Sequence, residues 1–378
     1  MFNNQPPLNI LMTTPRYFPD TGGTEMHVHE VGRRLAQRGM NVTLLTTFPH
    51  HYTAPVPVEE EVEGMKVIRV QAWRQPSDFY IAPDIHSFMK RGHWDLIHCQ
   101  GCHTLFSPMV MLAARAEKIP YIATFHSGGH SSRLRTTFRA TQWKLLRPLL
   151  ADAEKLIGVS EFETNYFRDL LHLPEKQFSV IPNGFSVPEG SYPEVEASSA
   201  NLIVSVGRLE RYKGHQHLIA ALPKIREARP DARLAILGAG PYEAALHEMA
   251  RKLNVAEHVT IRAIPASNRE EMMALLSQAS LVTLLSEYES QGIAIMEALA
   301  LHRPVLVADT SALREYAQKN LARAVSPDST PEELAAAVLD QLSNPLIPAQ
   351  LNLPTWDDCA EQLYRLYHTV VRKPSYAL

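Results

Sequence analysis

One arrangement constrains this chain more than any other. An apolar run at residues 8–14 is followed by a turn containing Gly22 and Gly23, a helical period over 26–37, a stop at Gly39 and a β-branched run, NVTLLTT, at 41–47. Strand, glycine turn, helix and strand in that order put the two strands side by side and parallel, because the crossover helix carries the chain back to the same end of the sheet. The alternation continues. Strand-like runs at 66–70, 96–99, 121–124, 155–159 and 178–182 are interleaved with helical patterns such as 107–117 and 160–170. The acidic stretch 59–63 lacks any apolar alternation and reads as a solvated loop. At 188–200 the pattern halts in PEGSYPEVEASSA, a linker by its Pro, Ser and Glu content. It then restarts, with runs at 202–206, 233–237, 259–261, 281–285 and 304–307 between helical patterns at 215–227, 242–253, 270–278 and 293–300. The sequence therefore predicts an α/β protein of two doubly wound αβα domains, 1–190 and 191–355, with a cleft at the C-terminal ends of their strands. A last helical segment, 356–378, follows Pro345, Pro348 and Pro354 and is not tied by pattern to the second domain.

Composition narrows the function classes. A chain of 378 residues is long enough for two cores. Its 37 Lys and Arg against 40 Asp and Glu give a formal charge of −3, which lacks the overall basic footprint of a nucleic-acid binder. Three cysteines, Cys99, Cys102 and Cys359, are too few for a disulfide framework and suit a reducing compartment. The Cys99–Cys102 spacing has no second pair to complete a zinc site, so both read as buried thiols. No apolar run reaches the roughly 18 residues of a membrane span, and MFNNQPPLNILMTTPR lacks the basic and apolar regions of a leader. A cytoplasmic protein is expected.

Several short stretches carry chemistry. Gly22 and Gly23 precede a helix whose N-terminus favours an anion, yet the spacing is not G-x-G-x-x-G; an anion approach and a plain tight turn are both open readings. SVGRLERYKG at 205–214 sets Gly207, Arg208 and Lys213 between a strand and a helix. The Arg fork, the Lys charge and the helix end suit a diphosphate, and ordinary surface bases are the alternative. Gly238 and Gly240 in GAGP either admit close backbone packing beside phosphates or form a turn ended by Pro241. In SEYESQGIAIMEALA, Glu289 lies in a loop where a carboxylate can accept two sugar hydroxyls, with Ser290 alongside. Glu297 falls within an apolar helix, where an acid is costly unless paired or ligand-bonded. His126, after the strand of TFHSGG, points toward the cleft and can donate to a sugar hydroxyl or steady a charge; a loop histidine bonded to nearby backbone is the other reading. His27 and His29 are two apart, cannot share a helix face and are not expected to form a site. Neither a D-x-D nor an H-E-x-x-H motif occurs, so no metal is implied.

The set GG-T-E at 22–25, TFH at 124–126, VSE at 159–161, IPNG at 181–184, SVGRLERYKG at 205–214, GAGP at 238–241 and the E-x7-E pair Glu289/Glu297 resembles, in order and over nearly the whole chain, the retaining glycosyltransferases of the GT-B fold, family 4 (glycosyltransferase group 1). The joint R-x4-K and E-x7-E patterns make the resemblance specific. It implies two Rossmann-like αβα domains facing across a cleft, the first on the acceptor side and the second binding the donor, with the terminal helix crossing back to the first. Residue by residue, it implies that Gly23 brings backbone N–H groups near the donor phosphate or the acceptor, and that Arg208 and Lys213 hold the diphosphate as leaving group. Glu289 would bind donor sugar hydroxyls, Glu297 the ribose hydroxyls, and His126 the donor sugar near its anomeric centre. The base would lie against Arg262, Ala263 and Ile264, and Gly22, Gly207, Gly238, Ser290, Gln291, Gly292 and Ile293 complete the implied donor site. The cosubstrate implied is a nucleotide sugar, UDP-linked, used without a metal; the acceptor is a saccharide or lipid-linked saccharide.

The chain departs from the family pattern at three places. Glu289-Ser290-Gln291-Gly292 stands where Glu-Gly-Phe-Gly is frequent, Phe185-Ser186 replaces a frequent Val-Asp, and Ser311-Ala312 replaces a glycine pair while Glu315 is kept. A non-hydrolysing nucleotide-sugar epimerase and a non-catalytic nucleotide-sugar-binding protein are the competing readings; a nicotinamide dehydrogenase lacks its fingerprint. Finally, residues 126–151 contain Arg133, Arg135, Arg139, Lys144 and Arg147 without an acid, interleaved with Leu134, Phe138, Trp143, Leu145 and Leu146. That composition fits either a basic helix with its apolar side in the core or a weak, salt-sensitive contact with an anionic membrane, at the inner face of the plasma membrane.

Overall fold

The computed structural model describes residues 6–20, 22–49, 55–74, 80–127, 133–187, 201–265 and 268–372, the side chains of 74 and 133–140 excepted. The chain divides into two units. The first takes residues up to Ser127, Thr137–Gly184 and the stretch from Pro354 onward; the second is built on Phe185–Leu353.

In chain order the first unit forms β1 (Asn9–Thr13), α1 (Gly23–Gln37), β2 (Asn41–Thr47), β3 (Glu59–Val62), β4 (Met65–Val70), β5 (Trp73–Arg74), β6 (Tyr80–Ile81), α2 (Ile85–Arg91), β7 (Leu96–Gln100), α3 (Phe106–Ala116), β8 (Tyr121–Thr124), α4 (Arg133–Ala151), β9 (Lys155–Gly158), α5 (Glu161–Leu171) and β10 (Phe178–Val180). Eight strands make one sheet in the order β10-β9-β8-β7-β1-β2-β4-β3. All pairings are parallel except β3 with β4. The central strands are buried on both faces, as helix-covered parallel strands are, and mostly apolar. One core joins Leu11, Leu45, Ile97, Phe106, Phe125 and Phe167. The expected loop at 59–63 is instead the edge strand β3, whose Glu59 and Glu60 pair with Lys66 and Arg69 at 2.6 Å each. A charged edge strand needs no apolar alternation, and its charges discourage further strand addition.

The second unit forms β11 (Leu202–Val206), α6 (His215–Ala228), β12 (Arg233–Leu237), α7 (Glu243–Lys252), β13 (Val259–Arg262), α8 (Arg269–Ser277), β14 (Leu281–Leu284), α9 (Ile293–Ala300), β15 (Val305–Ala308), α10 (Leu313–Gln318), β16 (Arg323–Val325) and α11 (Pro331–Ser343). Its six strands run in the order β13-β12-β11-β14-β15-β16, all parallel. Period-2 alternation splits them between two cores: Ile203, Leu234 and Ile236 pack with α6, α7 and α11, while Val204, Ala235 and Leu237 pack with α8, α9 and α10. The strand order reverses between β11 and β14. Such a reversal diverges the two flanking loops and leaves a ligand crevice at the strand ends.

The chain then returns to the first unit as α12 (Trp356–Val371), opened by a capping box of Thr355 and Asp358. α12 lies on α1, where Asp357 pairs with Arg34 at 3.2 Å and Glu361 with Arg38 at 3.6 Å. Its buried face carries Cys359, Leu363 and Tyr367. Gly184, where the chain leaves the unit, sits directly under Trp356, so that a Cβ there would collide with the Trp356 backbone.

Candidate functional site

In the second unit, β11 and β14 deliver their loops to the point where strand order reverses. After Val206 the chain passes Gly207 and Arg208 and makes a short 3-10 turn, Arg211–Lys213, before α6. Lys213 is only 14% exposed, and its ammonium donates to Oε1 of Glu289, itself 13% exposed, from the β14 loop. Ser286 Oγ donates to the same oxygen at 2.8 Å, and the Glu289 N–H donates to Ser311 Oγ at 2.9 Å. Burial alone would pull the Lys213 ammonium down, but the Glu289 carboxylate, with Tyr212, holds it above its usual range. Arg208 stands outward, 69% exposed, near Glu210 at 3.5 Å. Behind it His215 bonds Ser205 Oγ at 2.8 Å and the Arg208 carbonyl at 3.3 Å, and burial pushes its pKa down to about 4. It is a neutral prop under the cation loop.

The glycine after β12 has a steric cause. A Cβ on Gly238 would strike the Gly207 carbonyl, so the β11 and β12 loops touch through backbone alone. The Gly238 N–H donates to the Arg262 carbonyl at 2.9 Å. The Arg262 side chain is taken by Glu271 at 2.8 Å, Ala263 is exposed, and Ile264 packs on the core below. On the other side Gly292 caps α9 with φ 86°, Ser290 and Ile293 are half-buried, and the Gln291 amide is turned inward to Met296. Glu297 is buried on α9 and takes the Arg269 guanidinium of α8. Burial raises its pKa while Arg269 opposes the rise. Arg208, Lys213, Glu289 and the Gly207/Gly238 backbone thus form one cluster, with buried Glu297 and the partly exposed Arg269 a separate pair.

In the first unit, Gly22 caps α1, and Glu25 folds back over it to pair with Arg16 at 3.0 Å. Gly23 has open space where its side chain would be. His126 follows β8 in the left-handed region, at φ 45°, and its Nε2 lies 2.8 Å from Gln100 Oε1. Burial, with His27, His98 and His103 nearby, holds its pKa well below the usual range. Ser127, next to His126, is anchored by Glu163 of α5. Its carboxylate accepts from the Ser127 N–H at 2.7 Å, the Ser127 hydroxyl and the Val159 N–H at 2.9 Å. Burial pushes Glu163 up to about 7, against those three hydrogen bonds.

Sequence reasoning set His27 aside, and there the structure differs. Its ring is buried, bonds Asn183 Oδ1 through Nδ1 at 2.7 Å and meets His126 edge-on, 4.5 Å between centroids. The signal was legible: His27 lies four residues beyond Gly23, on the face of α1 that carries Val28 and Val31 inward. Arg269, Ser311 and Glu163 were also missed, since each acts through a partner distant in sequence, and so was Ser286, which lies only three residues from Glu289. Cys99 and Cys102 are buried, Cys99 with its pKa pushed up to about 12, as inert thiols should be. Of the basic segment, Arg133, Leu134, Arg135, Phe138 and Arg139 lie outside the described side chains. Trp143 and Leu146 pack in the core, leaving Leu145 at 75% exposure. Among the described residues no helix is long and apolar enough to cross a membrane, and no group of three metal-ligating side chains converges.

Comparison with known proteins agrees with this architecture. Residues 21–187 match the family model of Glycosyltransferase Family 4, and residues 192–353 match that of Glycosyl transferases group 1. The chain is 27% identical over 366 residues to a glycogen synthase of Mycobacterium tuberculosis, with 89% of this chain and 87% of the relative covered. A sucrose-phosphate synthase from Thermosynechococcus elongatus superposes with a TM-score of 0.75 at 21% identity, over 96% of this chain and 98% of that one. Anabaena HepE in complex with UDP-glucose superposes with a TM-score of 0.70 at 17% identity, over 97% and 98%. With two family models in tandem over both Rossmann-like units, and GT-B folds throughout those neighbours, the chain belongs to the group 1 glycosyltransferases of family 4 and is a glycosyltransferase.

Proposed function

We propose that this glycosyltransferase moves a hexosyl unit from a UDP-linked sugar to a hydroxyl of a glycan or lipid-linked saccharide, with retention at the anomeric carbon. The observation that carries the reading is the Lys213–Glu289 contact beside Arg208, at the strand-order reversal of the second unit. A cation for the leaving diphosphate and a carboxylate for sugar hydroxyls are thereby held within one bond of each other. The UDP assignment draws support from HepE, whose structure contains UDP-glucose, and the glycan acceptor from a relative named for glycogen.

In this reading residues 191–355 bind the donor and 1–190 the acceptor. Arg208, Lys213 and the N-terminus of α6 stabilise negative charge as it grows on the departing diphosphate, where such binding lowers the barrier. Glu289 orients the hexose, Glu297 turns from Arg269 to the ribose hydroxyls, and the backbone of Arg262, Ala263 and Ile264 meets the base. Ser290, Gln291, Gly292 and Ile293 line the sugar, Gly22 and Gly23 leave room for it or for the acceptor, and His126 approaches the anomeric centre. The C1–O bond to the β-phosphate breaks, the acceptor oxygen bonds C1 on the same face, and its proton passes to the departing phosphate oxygen. In this reading no D-x-D carboxylate pair is needed, because the protein cations Arg208 and Lys213 take the leaving-group charge without a metal.

The test is a panel of nucleotide sugars against soluble and lipid-linked saccharides, read by mass spectrometry, with the product anomer assigned by NMR. Transfer from a UDP-hexose with the donor's anomeric configuration is expected. An inverted anomer would overturn retention, and interconversion of the sugar nucleotide without transfer would make the chain an epimerase.

A further inference from the structure

Behind His126 lies a buried polar chain that the proposed reaction does not use. His98 on β7, Gln100 two residues on, and Tyr367 on α12 are all fully buried. Tyr367 Oη lies 2.5 Å from His98 Nδ1, Gln100 Nε2 lies 3.2 Å from the same nitrogen, and His98 Nε2 lies 2.7 Å from Thr124 Oγ1. The far end of the Gln100 amide meets His126 Nε2 at 2.8 Å. Burial keeps both rings neutral, so each carries a single proton, and burial likewise keeps the Tyr367 phenol protonated.

Two proton orderings satisfy these contacts. In one, the phenol donates to the single lone pair of His98 Nδ1 with the Gln100 N–H a longer, shared contact, His98 Nε2–H donates to Thr124, and the Gln100 carbonyl accepts Nε2–H of His126. In the other every bond reverses: Thr124 donates to His98, His98 Nδ1–H donates to the phenol oxygen, and His126 carries its proton on Nδ1. The orderings differ in which hydroxyl is the donor. A phenol is a far stronger acid than an aliphatic alcohol and its oxygen a poorer acceptor, so the short Tyr367–His98 contact selects the first. The amide then has one orientation.

We propose that Tyr367, His98 and Gln100 are positioning residues that hold His126 as its Nε2–H tautomer, presenting the Nδ1 lone pair as a hydrogen-bond acceptor to a substrate hydroxyl. The proposal rests on the reading of His126 as a substrate contact, and it reverses one expectation, since His126 then accepts from that hydroxyl at Nδ1. Among the described residues Nδ1 has no protein partner, which leaves it available.

The test is a long-range ¹H–¹⁵N correlation spectrum of histidine-labelled, ligand-free protein, with His126 assigned by loss of its signals in His126→Gln. A protonated Nε2 and unprotonated Nδ1 are expected. Tyr367→Phe removes the selecting donor, so His126 should move toward the Nδ1–H form, and kcat should fall about tenfold, the equivalent of one hydrogen bond. KM for the nucleotide sugar should stay within about twofold, since the His126 contact with the hydroxyl is made chiefly in the transition state. Gln100→Leu supplies the same test from the near end should Tyr367→Phe fold poorly. A parent His126 protonated on Nδ1, or a tautomer indifferent to both substitutions, overturns the relay. A shifted tautomer with unchanged turnover overturns His126 as a substrate contact, which separates failure of the site reading from failure of the relay.

Discussion

Lys213 and Glu289 have two roles that single substitutions confuse, because each holds the other as well as the proposed donor. Both are about one-seventh exposed. Removing one partner of a fully buried pair costs about 3–5 kcal/mol, since the survivor keeps its charge without compensation; with partial access to water here, about 2–4 kcal/mol is expected for Lys213→Met. Glu289→Gln keeps the Ser286 hydrogen bond and should cost less, about 1–3 kcal/mol. In the double variant no unpaired charge remains, so stability should return to within about 1 kcal/mol of the parent. Turnover should not return. Losing a cation at the leaving diphosphate removes about 2–4 kcal/mol of transition-state stabilisation, roughly 30- to 1,000-fold in kcat/KM, whatever happens to Glu289. The probe must be chosen with care. All four tryptophans, Trp73, Trp94, Trp143 and Trp356, belong to the first unit, so their fluorescence does not report the second. Hydrogen exchange of peptides spanning β11 and β14, read by mass spectrometry, does. If turnover and protection recover together in the double variant, neither charge is needed for transfer, the pair is structural, and the diphosphate clamp is refuted.

Three further outcomes are expected. Turnover should survive exhaustive treatment with EDTA, and full loss restored only by Mg²⁺ or Mn²⁺ would contradict the metal-free step. Glu163 binds its proton more tightly in the folded state (about 7) than its ordinary 4.5, so its contribution to stability falls as pH rises through that window, by about 3 kcal/mol in all; urea unfolding followed by tryptophan fluorescence should show this slope as the difference between parent and Glu163→Gln, and parallel curves from pH 4.5 to 7 would refute it. The parent should co-sediment weakly with anionic vesicles at low salt, and replacing Arg133, Arg135 and Arg139 together by Gln should reduce this, each base near the surface contributing about 1 kcal/mol; no binding by the parent would eliminate the membrane surface.

What was legible in the sequence followed from local rules. The helix 293–300 and the strand 202–206 lie where periodicity put them, because both are apolar enough for pattern and burial to coincide. The strand β3 was not legible, since an exposed edge of glutamates shows no alternation. Helix α11 was passed over although its Thr330–Glu333 capping box is a readable signal. At the candidate site, Arg208, Lys213, Glu289 and Glu297 were singled out by type and spacing, but their partners were not. Lys213 meets Glu289 across 76 positions and Glu297 meets Arg269 across 28. Ser311 illustrates the limit: the sequence showed it only as a departure from a glycine pair, while in the structure it takes φ 48° and its hydroxyl accepts the Glu289 N–H. The Tyr367–His98–Gln100–His126 chain, 269 positions wide at its first bond, has no local trace at all.

The seating of α12 on α1 has a consequence for how the protein is made. The two helices meet across 319 positions, so on a ribosome adding about 5–20 residues per second the first helix waits roughly 15–60 s for its cover. Throughout that interval every strand of the second unit emerges, while the nascent first unit lacks Trp356 over Gly184 and Tyr367 beside His98. The unit that is begun first is therefore completed last. Its polar interior stays open to water until the final helix arrives, and a polypeptide released after Val325 but before Pro354 would contain all six strands of the second sheet yet leave the first unit unsealed.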